Sequence, residues 1–475
     1  MTQPRRIYLL DTKKLSPETI AVAFAKTSRS PKSFDKIADE LSDERSADFH
    51  EKWVVGYGHS SVAEHAVLHI AIENISRLAV ECLESNRLAS YTEKSSRYQI
   101  WDKDHFFIPE EIQGNGIEDK YLETCKLLFK DYQTALGKVR KYFSEINPRK
   151  NNETERAYTN RIRTCSADVC RYYLPASSLA NVGVSINARA LEHALQKMLT
   201  HPLLEVQKMG EEIKAVSLKN IPTLVKYADR NDYLIQIEEE IIKRNSELIS
   251  GEPCGSTWCT CVNYDEDGEF QILAALFYRF SNLSFHEAYQ HISQLPQHKL
   301  ESLAESLLGK LGKHDIPVRE LEYAHISFDL IIDQGAYFEL KRHRMMSQTV
   351  KPFSPQLGYA IPKTISEAGL LDNFKSAMEK AEETFFAVHK INPHAAAYIL
   401  PNAFNRRVFL KMNLRTALHL IKLRAAPNAH FAIRRPTQRI AVEIRKKYPL
   451  FAPYFNKYTV ETWQTIENDF FTKTF

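Results

Sequence analysis

Residues able to hold an anion gather at two places in the chain. The stretch Asn86-Arg-Leu-Ala-Ser-Tyr-Thr-Glu-Lys-Ser-Ser-Arg-Tyr98 brings Glu93, Ser95, Ser96 and Arg97 together. Hydroxyls beside a guanidinium bind phosphate through charge-assisted hydrogen bonds, although a solvated loop after a helix has the same composition. Arg342-His343-Arg344 follows the apolar run Tyr337-Phe-Glu-Leu. Three adjacent cations repel one another unless an anion or acceptors neutralise them, and a basic surface patch is the alternative. Gly58-His-Ser-Ser-Val-Ala-Glu-His65 supplies His59, Ser60, Ser61 and Glu64, a polar ligand set with too few strong donors to favour a metal. Cys254, Cys259 and Cys261 lack paired Cys-x2-Cys spacing, so buried or loop thiols are favoured there over a metal site.

The elements that must position these residues are mostly helical. Tyr121, Leu122, Cys125, Leu128, Tyr132, Ala135, Leu136 and Val139 recur at helical spacing over 118–145, as do Phe374, Met378, Ala381, Phe385 and Val388 over 370–390. Val67-Leu-His-Ile-Ala-Ile and Ala324-His-Ile-Ser-Phe-Asp-Leu-Ile-Ile read as strands, which makes the fold class α+β. A length of 475 residues, 44% hydrophobic and 26% charged, suits two or three globular domains. Lys+Arg 63 against Asp+Glu 59 is too balanced for a protein that coats nucleic acid or a membrane, so an anionic ligand must be caught locally. Seven cysteines without framework spacing, no apolar run of membrane length and no signal-like start suggest a cytoplasmic protein with reduced thiols.

Spacing also predicts an internal duplication. Leu174-Pro175 precedes Asn187-x-Arg189 by 12 residues, and Leu400-Pro401 precedes Asn413-x-Arg415 by the same 12. Glu64 stands 23 residues before Arg87 and Glu322 stands 22 before Arg344, each followed by a strand-like run. The first half is longer between Arg87 and Pro175 than the second between Arg344 and Pro401, which predicts an inserted surface loop around Asn147–Arg156. The segment 225–268 joins the halves, with a boundary near 255, so the repeats are 1–255 and 256–475.

These segments closely resemble the flavin-dependent thymidylate synthases, twice over nearly the whole chain. Gly58–His65, Arg87–Tyr98, Arg342-His-Arg344 and both Leu-Pro…Asn-x-Arg segments carry the resemblance. It implies two tandem repeats, each a small mixed sheet flanked by long helices. The family's members are usually single-repeat chains assembled as homotetramers, so a dimer of this chain is expected to mimic one. The resemblance gives Glu93, Ser95, Arg97 and Arg171 to the nucleotide, largely its phosphate, and Arg424 to the pyrimidine ring as the catalytic cation. Arg342 is shared between nucleotide and flavin. His343, Arg344, Asn413, Arg415 and His419, with His59, Ser60, Ser61 and Glu64, fall to FAD. NADPH and methylenetetrahydrofolate are the implied co-substrates and dUMP the implied nucleotide, methylated at C5 without a protein nucleophile. No Gly-x-Gly-x-x-Gly is present, so the flavin is not expected in a dinucleotide-binding α/β domain.

The departures from the family's pattern are complementary. The first repeat has Ser85-Asn86-Arg87 for the Arg-His-Arg triplet and Met198 for the ring-facing arginine. The second has Ala397 for Arg171 and lacks the Ser-x-Arg loop. Each repeat keeps what the other has lost, which predicts one composite site per chain. Glu339 stands where the family commonly has Gln. That motivates an alternative uracil nucleotide as substrate, and a non-catalytic nucleotide or RNA binder is the third reading.

Overall fold

In the computed structural model, which describes residues 6–56, 60–114, 116–245 and 257–472, both strand-like runs become strands of small antiparallel sheets, the first at a sheet edge and the second in a sheet interior. The elements used below are, in chain order, β1 (Val67–Ser76), α1 (Arg77–Leu83), β2 (Ala89–Glu93), α2 (Ile117–Ile146), α3 (Glu155–Cys170), β3 (Leu179–Asn187), α4 (Ala188–Leu199), α5 (Asp232–Asn245), β4 (Cys259–Tyr264), β5 (His325–Asp333), α6 (Gln334–Leu340), β6 (Ser347–Val350), α7 (Leu371–His389), β7 (Asn405–Asn413), α8 (Leu414–Arg424) and α9 (Phe431–Lys447). No helix among the described residues is long and apolar enough to cross a membrane.

The duplication is visible in the register. One sheet has the order β1-β3-β2 and pairs Val67 with Asn187; the other has the order β4-β5-β7-β6 and pairs His325 with Asn413. In both, the asparagine ends the strand and caps the following helix. Asn187 accepts from Ala190 N and Asn413 from Thr416 N, each at 2.8 Å. A side-chain acceptor at this position satisfies an otherwise unpaired amide of the first turn. The arginine two residues on pairs with the glutamate just before the strand partnered by that asparagine, Arg189 with Glu64 before β1 and Arg415 with Glu322 before β5. The Asn-x-Arg spacing therefore has a structural job in both repeats.

The chain divides into two compact units that do not follow sequence order. One comprises Met1–Lys94, Phe106–Gly114 and Ser177–Glu252; the other comprises Ser95–His105, Asn115–Ala176 and Pro253–Phe475. The repeats are divisions of the sequence, and these units cut across them. The expected repeat boundary at 255, like Cys254, lies outside the described residues. Within the first unit, β1, β2 and β3 form the sheet, and buried Glu205 accepts from the Ser76 hydroxyl at 2.5 Å. The acidic-basic joining segment includes the exposed helix α5.

The second unit holds the four-stranded sheet together with α2 and α3, which come from the first repeat. The inserted stretch is more than the surface loop expected from its polarity. Helix α2 runs 30 residues against 19 for α7, and the polar turn after it leads into α3, whose Ile162, Ala167, Val169 and Cys170 are buried. The apolar stripes of α2 and α7 are buried as their spacing predicts, and the Thr124 and Thr384 hydroxyls meet at 2.8 Å between them. Equivalent Leu-Pro segments meet reciprocally. Ala176 N donates to Leu400 O at 2.9 Å, and Asn402 N donates to Leu174 O at 3.0 Å. Asn402 Nδ2 also donates to Arg171 O at 2.9 Å, so this contact fixes the backbone of a candidate ligand residue.

Candidate functional site

The second unit holds a cluster of guanidiniums built around one buried carboxylate. Asp333 caps α6 by accepting from Ala336 N at 2.8 Å, and one and a half turns later Glu339 is 7% exposed. Arg424, the last residue of α8, donates from Nη1 to Glu339 Oε2 at 2.7 Å. Arg171, in the short turn after α3, brings Nη1 to 3.9 Å from Glu339 Oε1 and donates from Nη2 to Gly335 O at 3.3 Å. Gly335 eases this approach, since a Cβ there would lie 3.0 Å from Asp333 Oδ1 and 3.4 Å from Arg171 Nη2, close enough to push against both. Burial favours the neutral acid at Glu339, but Arg171, Arg342, Arg424 and Arg97 outweigh it and hold the carboxyl below its ordinary range. Arg171 is 3% exposed, and no described residue accepts from its Nε.

Arg97 is fixed separately in the same unit. Its Nε and Nη2 donate to Asp168 Oδ1 and Oδ2 at 2.8 and 2.9 Å, the forked geometry that suits a carboxylate. Its backbone N donates to Ser95 Oγ at 3.3 Å, and Nη1 reaches Asn428 O at 3.4 Å. Buried His430 caps α9 by accepting from Ala432 N at its Nδ1, so Nε2 carries the proton and donates to Asp168 O at 3.0 Å. Asp168 and His430 were not singled out in the sequence. Only the position of Asp168 three residues before Arg171, nearly one helical turn, offered a signal.

The triplet differs from its sequence reading. His343 is buried, and its Nε2 accepts from Arg424 Nε at 3.0 Å. Burial, then Arg424 and His419, push the imidazole down to about 3 despite the opposing pull of Glu339. The expectation of three adjacent cations is thus corrected: the middle member is neutral, because it is a buried acceptor facing a guanidinium. Arg342 is exposed and acts on Glu339 through its charge, and Arg344 is partly exposed. His419 on α8 meets the His343 ring edge-on at 5.7 Å.

The remaining candidates have local partners of their own. Glu93 belongs to the first unit, where its buried carboxylate pairs with buried Arg77. Ser60, Ser61 and Glu64 occupy the first unit's short helical turn Ser60–His65, with Glu64 on Arg189; His59 lies outside the described residues. In the second unit Asn413 is the α8 cap, and Arg415 donates to Pro317 O at 3.0 Å as well as to Glu322 at 2.6 Å. Cys259 is buried in β4 with its thiol pushed up to about 12, and Cys261 on the same strand is partly exposed. The described residues contain no His/Cys/Asp/Glu group arranged to hold a metal.

The family model described as thymidylate synthase complementing protein matches the chain twice, over residues 9–223 and 262–450. The chain belongs to that family. Both repeats match it, in tandem, in agreement with the shared strand register and Asn caps. Among its relatives, a "UPF0159 protein" of Chlamydia muridarum is 30% identical, covering 88% of this chain and 82% of the relative. Another UPF0159 protein, from Thermoplasma acidophilum, is 26% identical over 87% and 89% of the two chains. A "flavin-dependent thymidylate synthase" of Clostridium tetani is 28% identical over 45% of this chain and 82% of its own. Family relatives of full length are thus matched by this chain along most of its extent, whereas a thymidylate synthase matches about one repeat.

Proposed function

We propose that this chain is a flavin-dependent thymidylate synthase, converting dUMP to dTMP with methylenetetrahydrofolate and NADPH at the arginine cluster of the second unit. The observation that carries the reading is the buried Arg171, whose Nε meets no described acceptor beside Arg97, Arg424 and Glu339. Three guanidiniums, Arg97, Arg171 and Arg424, face Asp168 and Glu339, with Asp333 also in the field of Arg171, and Arg342 adds a fourth cation. A cluster with more cations than anions suits a phosphate monoester.

In this reading Arg97 and Arg171 hold the phosphate. Asp168 orients Arg97, while Glu339 and the Gly335 carbonyl orient Arg171. Arg424 stabilises negative charge as it develops on the pyrimidine, an electrostatic contribution made by a group already fixed in place. The donor set of exposed Arg342 and partly exposed Arg344, which flank His343, fits the anionic part of FAD. FAD, when bound, supplies the reducing equivalents and the carrier for the one-carbon group. A second reading, C5 alkylation of a different uracil nucleotide, is favoured by ionised Glu339 in the position the family commonly gives to Gln.

The test is to purify the chain, read its flavin spectrum, and follow tritium release from dUMP labelled at C5, with other uracil nucleotides as competitors. About one FAD per chain and release that dUMP itself sustains are expected. A colourless protein that takes up no flavin would defeat both readings; release suppressed by another nucleotide at far lower concentration would favour the second. We also propose a homodimer, since two repeats in one chain replace two subunits. Light scattering should give about twice 54.8 kDa, and a stable, active monomer would refute it.

A further inference from the structure

Arg424 is held by two acceptors on different atoms, Glu339 at Nη1 and His343 at Nε. Two such contacts fix the plane of a planar guanidinium, whereas one leaves it free to turn about the bond. Neither contact uses Nη2, the edge that the reading of Arg424 given above turns toward the base. We propose that His343 is a positioning residue, whose neutral imidazole accepts from Arg424 Nε and sets the plane of the guanidinium that meets the base; this rests on the reading of Arg424 given above.

The imidazole is well anchored. His343 N donates to Leu340 O at 3.0 Å, its carbonyl accepts from Gln348 Nε2 at 3.1 Å, and its ring is buried against that of His419. Burial, Arg424 and His419 all oppose protonation, so the acceptor lone pair persists at neutral pH. A protonated ring would place a cation against Arg424 and remove the acceptor.

The other repeat gives independent support. Aligning Ser85-Asn86-Arg87 with Arg342-His343-Arg344 puts Cys82 at the place of Glu339 and Asn86 at the place of His343. The Asn-x-Arg spacing puts Met198 at the place of Arg424. There Asn86 turns its amide to donate to Leu83 O at 2.9 Å, and Met198 is buried. Where the arginine is absent, both of its acceptors are absent too, while the last arginine of the triplet is kept as Arg87. Residues lost together behave as one device, and the device is centred on Arg424.

The test compares His343→Leu, which has no acceptor, with His343→Gln, which can restore one, in the full chain. His343→Leu should lower kcat about 10- to 100-fold, the loss expected when a fixing hydrogen bond is removed, with KM for dUMP and flavin content little changed. His343→Gln should recover most of that loss. A Leu variant with normal kcat, or one that loses its flavin, would overturn the inference, the latter by making His343 a cofactor ligand. A second readout is independent of turnover. In protein labelled with 15N-histidine, His343 should carry its proton on Nδ1, and Arg424→Leu should shift the Nε2 resonance. If the wild type leaves dUMP untouched, the proposed activity falls, and this spectrum alone decides the contact. A proton on Nε2, or a resonance indifferent to Arg424→Leu, would sink it.

Discussion

Arg97→Ala and Arg424→Ala should each cost about 30- to 1000-fold in kcat/KM for dUMP, and they should fail differently. Each removes a charge-assisted contact worth about 2–4 kcal/mol, and each 1.4 kcal/mol is tenfold in rate or affinity. Arg97 is read as a phosphate ligand, present in ground state and transition state alike, so its loss should appear mainly in KM. Its removal strands Asp168, whose carboxylate accepts both forked bonds at 2.8 and 2.9 Å, so a lowered melting temperature should accompany the effect. Arg424 is read as acting on charge that develops only during reaction. Its loss should appear mainly in kcat, and the flavin spectrum should be unchanged. Steady-state kinetics on both variants check this; near-normal turnover by either one would remove that arginine from the site.

Much of the scaffold was legible because it follows local rules. Strand alternation located β1 and β5, and helical spacing located α2 and α7. The Asn-x-Arg motif marked both helix starts, because an Asn cap and an arginine two residues on are matters of short-range geometry. The 12-residue spacing from Leu-Pro to Asn measures the path through β3 and β7, so equal spacing predicted equal registers. What escaped the sequence depends on contacts distant along the chain. His343 reads as a cation until burial and Arg424 are known. Nothing local in the sequence announces that Glu93 pairs with Arg77. Asp168 has no motif, and its role follows only from the arrival of Arg97 and His430 from remote segments. The interleaving of the units was equally hidden, since no composition shift marks where the chain passes from one unit to the other.

That interleaving bears on how a site is completed. Arg97 and Arg171 come from the first repeat, while Glu339, His343 and Arg424 come from the second, and all five belong to one unit of a single chain. Single-repeat members of the family are expected to assemble such a set from different subunits. On the proposed reading, a tandem chain that carries both halves needs no second copy for this purpose, and each repeat is free to lack the part its neighbour supplies.

Co-expression of Arg97→Ala and Arg424→Ala chains carrying different tags, followed by purification of the mixed species through both tags, tests this claim most directly. If every site draws Arg97 and Arg424 from the same chain, each site in the mixed assembly still bears one lesion, and tritium release from dUMP should stay at the level of the single variants. Recovery of about half the wild-type activity would mean that the two arginines meet across chains, and would contradict the account.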